Sequence, residues 1–156
     1  MGIFRGSTPQ ILQDLGVAGI EYQITLTLTP EQIRSLNTLP VDIVVPANAN
    51  TFLAPGQVVF VGSQGSVAYS SAPGFSLQYS DASHAIPIDS GSWDGTAGEA
   101  DCTPDALISM SFANPEDITS LLGLSLQVIG GNDVTDGDAS CTIILTYMSY
   151  DLSGLL

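Results

Sequence analysis

The sequence predicts an all-β domain, a β-sandwich of jelly-roll type with seven to nine strands and one or two short helices. Three observations predict it. Short runs of apolar and β-branched residues, several strictly alternating, recur along the chain. Gly, Pro, Asn and Asp separate them at close spacing, as in sandwiches and barrels. The helical signals are brief and sit between the runs, where connections between sheets ordinarily pass.

The 156 residues suffice for one domain with a core and are too few for two. Residues 1–20 read as an N-terminal arm, with a weak helical turn or two at Gln10–Leu15, and residues 21–156 as a single β-sandwich domain. Tyr22–Leu28 alternates, with Tyr22, Ile24, Leu26 and Leu28 on one face and Gln23, Thr25 and Thr27 on the other. Thr29-Pro30-Glu31-Gln32 then carries a helix cap, a proline at the first helical position and a capping-box glutamine. A helix to Leu36 follows, with Ile33 and Leu36 turned inward. A strand bracketed by Pro40 and Pro46 comes next.

Gln57–Val61, Val67–Tyr69 and Phe75–Tyr79 read as strands, separated by turns at Gly62–Gly65 and Ala72–Gly74. Residues 81–105 read as a long polar loop with one edge strand at Ala85–Ile88. Leu107–Phe112 alternates, Asn114–Asp117 can start a helical turn that ends near Gly123, and Leu124–Ile129 is a strand. Gly130–Ala139 is an acidic loop. Cys141–Tyr150 is the strongest strand of all, and Tyr147 and Tyr150 fall on its opposite faces. The expected core includes Leu26, Ile43, Val59, Leu126 and Ile144.

Charge excludes whole classes of partner. There are 16 acidic residues, no lysine, and only Arg5 and Arg34, giving −14. Phosphate backbones are bound by Lys and Arg displacing counterions, so nucleic acid is excluded. Anionic membranes are disfavoured for the same reason. A basic protein or a divalent cation is compatible. Ile3-Phe4 runs at once into Arg5-Gly6, so no secretory signal is expected, and no run approaches the roughly 18 apolar residues of a membrane span. Cys102 and Cys141 match no zinc spacing and are either two thiols or one disulfide.

Two blocks resemble a known family. The first runs from Ile24 through Thr29-Pro30-Glu31-Gln32-Ile33-Arg34-Ser35-Leu36 to Val45-Pro46-Ala47. The second comprises Leu122–Leu126, Thr135–Asp138 and Thr142–Tyr147. Together they resemble small β-rich structural proteins of tailed bacteriophages, of the capsid decoration or cement type. The resemblance covers about 50 residues at the two ends, and the middle departs from it. It implies a non-enzymatic virion protein, made in the host cytoplasm and placed on the capsid surface. Its partners would be the major capsid protein and further copies of itself, as a homotrimer. The alternative is a tail or fibre component, one form of which is a receptor- or carbohydrate-binding module.

No catalytic or cofactor-binding residue is expected. His84, the single histidine, lacks the strained nucleophile turn that a Ser-His-Asp site needs. Asp133, Asp136 and Asp138 crowd one loop and are weak candidates for Ca²⁺, although their order fits no EF-hand. Five side chains are candidates for contact with a partner: Trp93, Tyr150, Leu152, Leu155 and Leu156. Trp93 either anchors a partner or caps the end of the core. The apolar tail Leu152, Leu155 and Leu156 is expected to tuck into a neighbouring subunit.

Overall fold

The computed structural model describes residues 16–86, 88, 93, 95, 101–107 and 115–155, with the backbone alone for 101–107 and 115–116. The expected helical turns at Gln10–Leu15, and the part of the Leu107–Phe112 strand beyond Leu107, lie outside these residues. The fold is all-β. In chain order it comprises β1 (Ile20–Leu28), α1 (Pro30–Ser35), β2 (Val41–Val44), β3 (Thr51–Gly62), β4 (Phe75–Tyr79) and β5 (Ala85–Ile86). There follow β6 (Asp101–Leu107), α2 (Pro115–Thr119), β7 (Leu126–Gly130) and β8 (Cys141–Asp151).

The strands form two four-stranded sheets, ordered β1-β8-β3-β6 and β2-β7-β4-β5. Every ladder is antiparallel. The pairings nest: β1 lies beside β8, β2 beside β7, β3 beside β6, and β4 beside β5.

The sheets face each other across an apolar interior. Phe60 of β3 stacks on Phe75 of β4, with ring centroids 5.3 Å apart. The Tyr79 hydroxyl of β4 donates to the Leu53 carbonyl of β3 at 2.7 Å. That bond satisfies the one polar atom of a ring that is fully buried, and burial pushes the phenol pKa well above its ordinary value. Val58, Ile143, Leu145, Leu77, Leu126 and Val128 fill the space between the sheets, each fully buried. A side chain of this kind contributes about 1.5–3 kcal/mol on leaving water.

The connection after β1 forms as its residues dictate. The Thr29 hydroxyl accepts from Gln32 N at 3.2 Å, and Gln32 Oε1 accepts from Thr29 N at 2.9 Å. The reciprocal pair satisfies two backbone donors that a helix start leaves open. Pro30 occupies the first turn, and Ile33 and Leu36 are buried beneath the helix.

Several expectations need correction. Ile43 and Leu126 are buried, and Leu26 is partly buried against the core. Val59 and Ile144, also expected inside, lie on the outward face. Their neighbours Val58, Phe60, Ile143 and Leu145 point inward instead. Both faces of these strands are apolar, so alternation alone did not settle which side is which. β3 begins at Thr51, six residues before the expected strand, and runs through Pro55 by means of a register shift between Pro55 and Gln57. The expected strand at Val67–Tyr69 reduces to an isolated bridge between Tyr69 and Asp136. The strand expected from Leu107 begins at Asp101, within the stretch read as a loop.

The cysteines sit on β6 and β8, with β3 between them. Cys141 is buried.

Candidate functional site

Two places on the molecule stand out: the outer face of the first sheet, and the loop end of the sandwich.

The register builds the outer face directly. Thr25 and Thr27 of β1 lie opposite Ile144 and Thr142 of β8, which in turn lie opposite Val59 and Val61 of β3. Gln23, Thr146 and Gln57 form the next row. The residues of opposite parity on β3 and β8 (Val58, Phe60, Ile143 and Leu145) are buried, so this set faces outward. None of the nine is charged. The hydroxyls of Thr27 and Thr142 bond across the strands at 3.0 Å. A wide, uncharged face of β-branched side chains is therefore presented by a chain of net charge −14. The opposite sheet differs: Asp42 accepts from Gln127 at 2.8 Å and Gln127 from Gln78 at 3.1 Å, making a polar ladder across β2, β7 and β4.

At the loop end, the acidic segment 131–139 lies along residues 65–72. Asp138 N donates to Val67 O at 3.1 Å, Ser70 N to Thr135 O at 3.0 Å, and Thr135 N to Ser70 Oγ at 2.9 Å. Asp136 and Gly137 take positive φ angles of 58° and 75°. The Arg34 guanidinium of α1 donates to the Gly137 carbonyl at 2.7 Å. Behind the loop, Tyr69 donates to Ala139 O at 2.5 Å, and burial pushes its phenol up to about 12. Trp93 packs on Phe75 and Tyr69, with ring centroids 5.8 and 5.9 Å away. It closes this end of the core.

Two of the three candidate carboxylates are engaged, each by different donors, and the third residue contributes its backbone. Asp133 accepts from Asn37 Nδ2 at 2.6 Å. Asp138 accepts from the Ser66 hydroxyl and from Val67 N, the latter at 2.9 Å. Asp136 contributes its carbonyl to Arg34 at 3.4 Å. Among the described residues no group of three or more His, Cys, Asp and Glu is placed to hold a metal ion. His84 lies on the surface, its Nδ1 2.6 Å from Asp81 Oδ2.

The Ser66 hydroxyl, and then the Val67 amide, hold the Asp138 carboxyl below the usual carboxylate range. A depressed folded-state pKa adds stability above the unfolded value, about 3.9. That stability is lost as pH falls through the lower folded value. Asp138→Asn should therefore melt lower than wild type near neutral pH. The difference should shrink as the pH is lowered past 4, roughly the unfolded carboxylate value. Thermal melts across pH 2–7, a range set to bracket roughly that value, check this; a constant difference at every pH would contradict it.

The side chains expected to reach a partner are mostly internal. Trp93, Tyr150 and Leu152 are 3%, 1% and 4% exposed in the single chain, and of its two readings Trp93 takes the one that caps the end of the core. Tyr150 stacks on Phe52, and Leu152 N donates back to Asn50 O at 3.0 Å, so the chain beyond β8 folds onto its own sheet. Leu155 is exposed, and Leu156 lies outside the described residues. The large exposed apolar side chains include Ile20 and Tyr22 of β1, with Leu39 and Val45 on either side of β2. The sequence did carry a signal for the uncharged face. Gln57–Val61 and Cys141–Tyr150 contain no charged residue, in a chain with 16 acids.

The molecule is thus an all-β, two-sheet protein whose conspicuous feature among the described residues is the uncharged patch on β1, β8 and β3. Among the described residues no helix is long and apolar enough to cross a membrane. No protein-family model and no curated protein matches the chain. Among solved structures it is similar to the cyanophage Pam1 capsid asymmetric unit, at TM-score 0.47 and 9% identity over 85% of each chain. It is also similar to infectious bursal disease virus, Gt strain, at TM-score 0.25 and 13% identity, over 86% of this chain and 36% of that one. Likeness at this level carries no functional argument.

Proposed function

We propose that this chain is a structural virion protein of a tailed bacteriophage that decorates the capsid and stabilises it by bridging neighbouring capsid subunits. The observation that carries the reading is the uncharged nine-residue patch on the outer face of β1, β8 and β3, beyond which Glu21 lies in the next row. On a chain of −14, these nine side chains carry no charge, and the patch suits adhesion to another protein. Many copies, each burying a standard patch of about 800 Å², would brace a shell through area alone. The acidic remainder would keep free subunits soluble and away from packaged DNA. The tailed-phage setting rests on the resemblance of Ile24–Ala47 and of the C-terminal blocks to phage structural proteins.

The fold proposed is a jelly roll. The nested pairing of β1 with β8, β2 with β7, β3 with β6 and β4 with β5 supports it, because a long antiparallel ribbon rolled into two sheets pairs in that way. The partners proposed are the major capsid protein and, by analogy with jelly-roll decoration proteins, two further copies in a homotrimer. Residues 1–20 are proposed as an arm that strengthens attachment. The trimer should tighten as salt screens the repulsion between acidic chains.

Copy number in purified particles tests the reading. Hundreds of copies per particle, together with loss of an outer layer and of heat resistance in particles lacking the protein, are expected. A handful of copies confined to the tail would overturn it in favour of a tail or fibre component.

A further inference from the structure

Each sheet has two edges, and an exposed edge is a template for pairing unless something blunts it. Three of the four are blunted here. β2 has four residues, a register shift between Asp42 and Val44, and prolines just outside both ends. β5 has two residues and is followed by Pro87. β6 contains Pro104, Asp101 and Asp105, and its register shifts twice. β1 has none of these devices. It runs nine residues in unbroken register against β8, without proline or lysine. Its one charged residue, Glu21, is half-buried and next to its start. Ile20 and Tyr22 stand 60% and 45% exposed on it, Tyr22 stacked on Tyr147 of β8 at 5.5 Å. Among the described residues no strand lies against its outer side.

We propose that β1 is a pairing edge at which two copies of this chain join their β1 strands antiparallel across a two-fold axis. An open edge needs a second open edge of matching length. The long, unblunted one that this chain offers is β1 itself, so a second copy supplies the match. Charge favours the same site. The twenty residues of β1 and β8 include only Glu21 and Asp151 as charged groups, so acidic chains meet there with the least repulsion. A register centred on Ile24 sets Glu21 against Thr27 of the partner subunit and Tyr22 against Leu26 of the partner subunit. No two carboxylates then oppose each other. The result is a continuous eight-stranded sheet, and because the contact is isologous it closes on itself instead of growing into a fibre.

The contact is separate from the three-fold contact proposed above: it joins two single chains, or two trimers where its two-fold axis crosses the three-fold axis at a right angle. It is measured on the free chain without any capsid, so its failure and the failure of the decoration reading are distinguishable. The double variant Gln23→Asp/Thr25→Asp changes two exposed outward positions that face each other across the proposed axis. Sedimentation should give it half the mass of the wild-type particle, with a circular-dichroism spectrum that still shows the folded sandwich. A second variant, Gln23→Cys/Thr25→Cys, should form a disulfide-linked dimer on a non-reducing gel where wild type forms none. Equal masses for wild type and the charge variant, or no linked dimer from the cysteine variant, would overturn the proposal.

Discussion

Ile143→Asp is expected to abolish soluble folding, whereas the same change one residue on, Ile144→Asp, should leave a folded protein. Ile143 is fully buried. It lies opposite Leu26 of β1 on one side and Phe60 of β3 on the other, so a carboxylate there has apolar neighbours on both strands. Burying a charge without a partner costs several kcal/mol or more, against a typical total stability of about 5–15 kcal/mol. Ile144 lies on the outward face between Thr25 and Val59. There the carboxylate reaches water, and the cost falls to roughly 1 kcal/mol of strand preference. Soluble yield, circular dichroism and thermal melting of the two variants decide the matter. The reverse order of stability would invert the faces of β8 and remove the uncharged outer surface.

Gly137→Ala should be the most damaging single-methyl change at the loop end. Gly137 has φ of +75°, and a Cβ there would stand 2.2 Å from Tyr69 Cδ1. The left-handed conformation costs a non-glycine residue about 1–2 kcal/mol, and forced overpacking roughly 1–3 kcal/mol more. Tyr69 has little room to yield, because its hydroxyl is bonded to Ala139 and Trp93 packs on its ring. The sum is about 2–5 kcal/mol of lost stability, read as a fall in the denaturant midpoint. Gly154→Ala is the control, since nothing lies within 4 Å of a Cβ at that position. A Gly137→Ala midpoint equal to that of the control would refute the tight packing of Tyr69.

Local signals in the sequence read well. Thr29, Pro30 and Gln32 state the start of a helix in their own chemistry, and the strand periods of residues 22–28, 75–79 and 141–150 locate β1, β4 and β8 with little error. The side on which the core lies was harder. Val58-Val59-Phe60-Val61 and Ile143-Ile144-Leu145 are apolar on both faces, and only pairing with β1 and the stacking of Phe60 on Phe75 decide which residues turn inward. β3 extends through Pro55 because a register shift absorbs the proline, a tertiary compromise that local rules disfavour.

The candidate surface followed the same division. Acidic side chains in 133–138 suggested an ion site by composition, but their donors come from Asn37, Ser66 and Val67, far away in the sequence. The end of β8 and the tail beyond it looked sticky by composition, yet Tyr150 and Leu152 spend their apolar surface on their own chain. The uncharged sheet face needs three strands to exist at all, and no single segment announces it.

The position of β8 has a temporal consequence. It comes after every other strand of both sheets in the chain, yet it lies between β1 and β3. During synthesis β1 and β3 therefore leave the ribosome with the strand that joins them still unmade. At an elongation rate of about 5–20 residues per second, the roughly eighty residues between β3 and the start of β8 occupy several seconds. A nascent chain can pair β3 with β6 in that interval but must hold β1, and the other edge of β3, open until β8 emerges to join them.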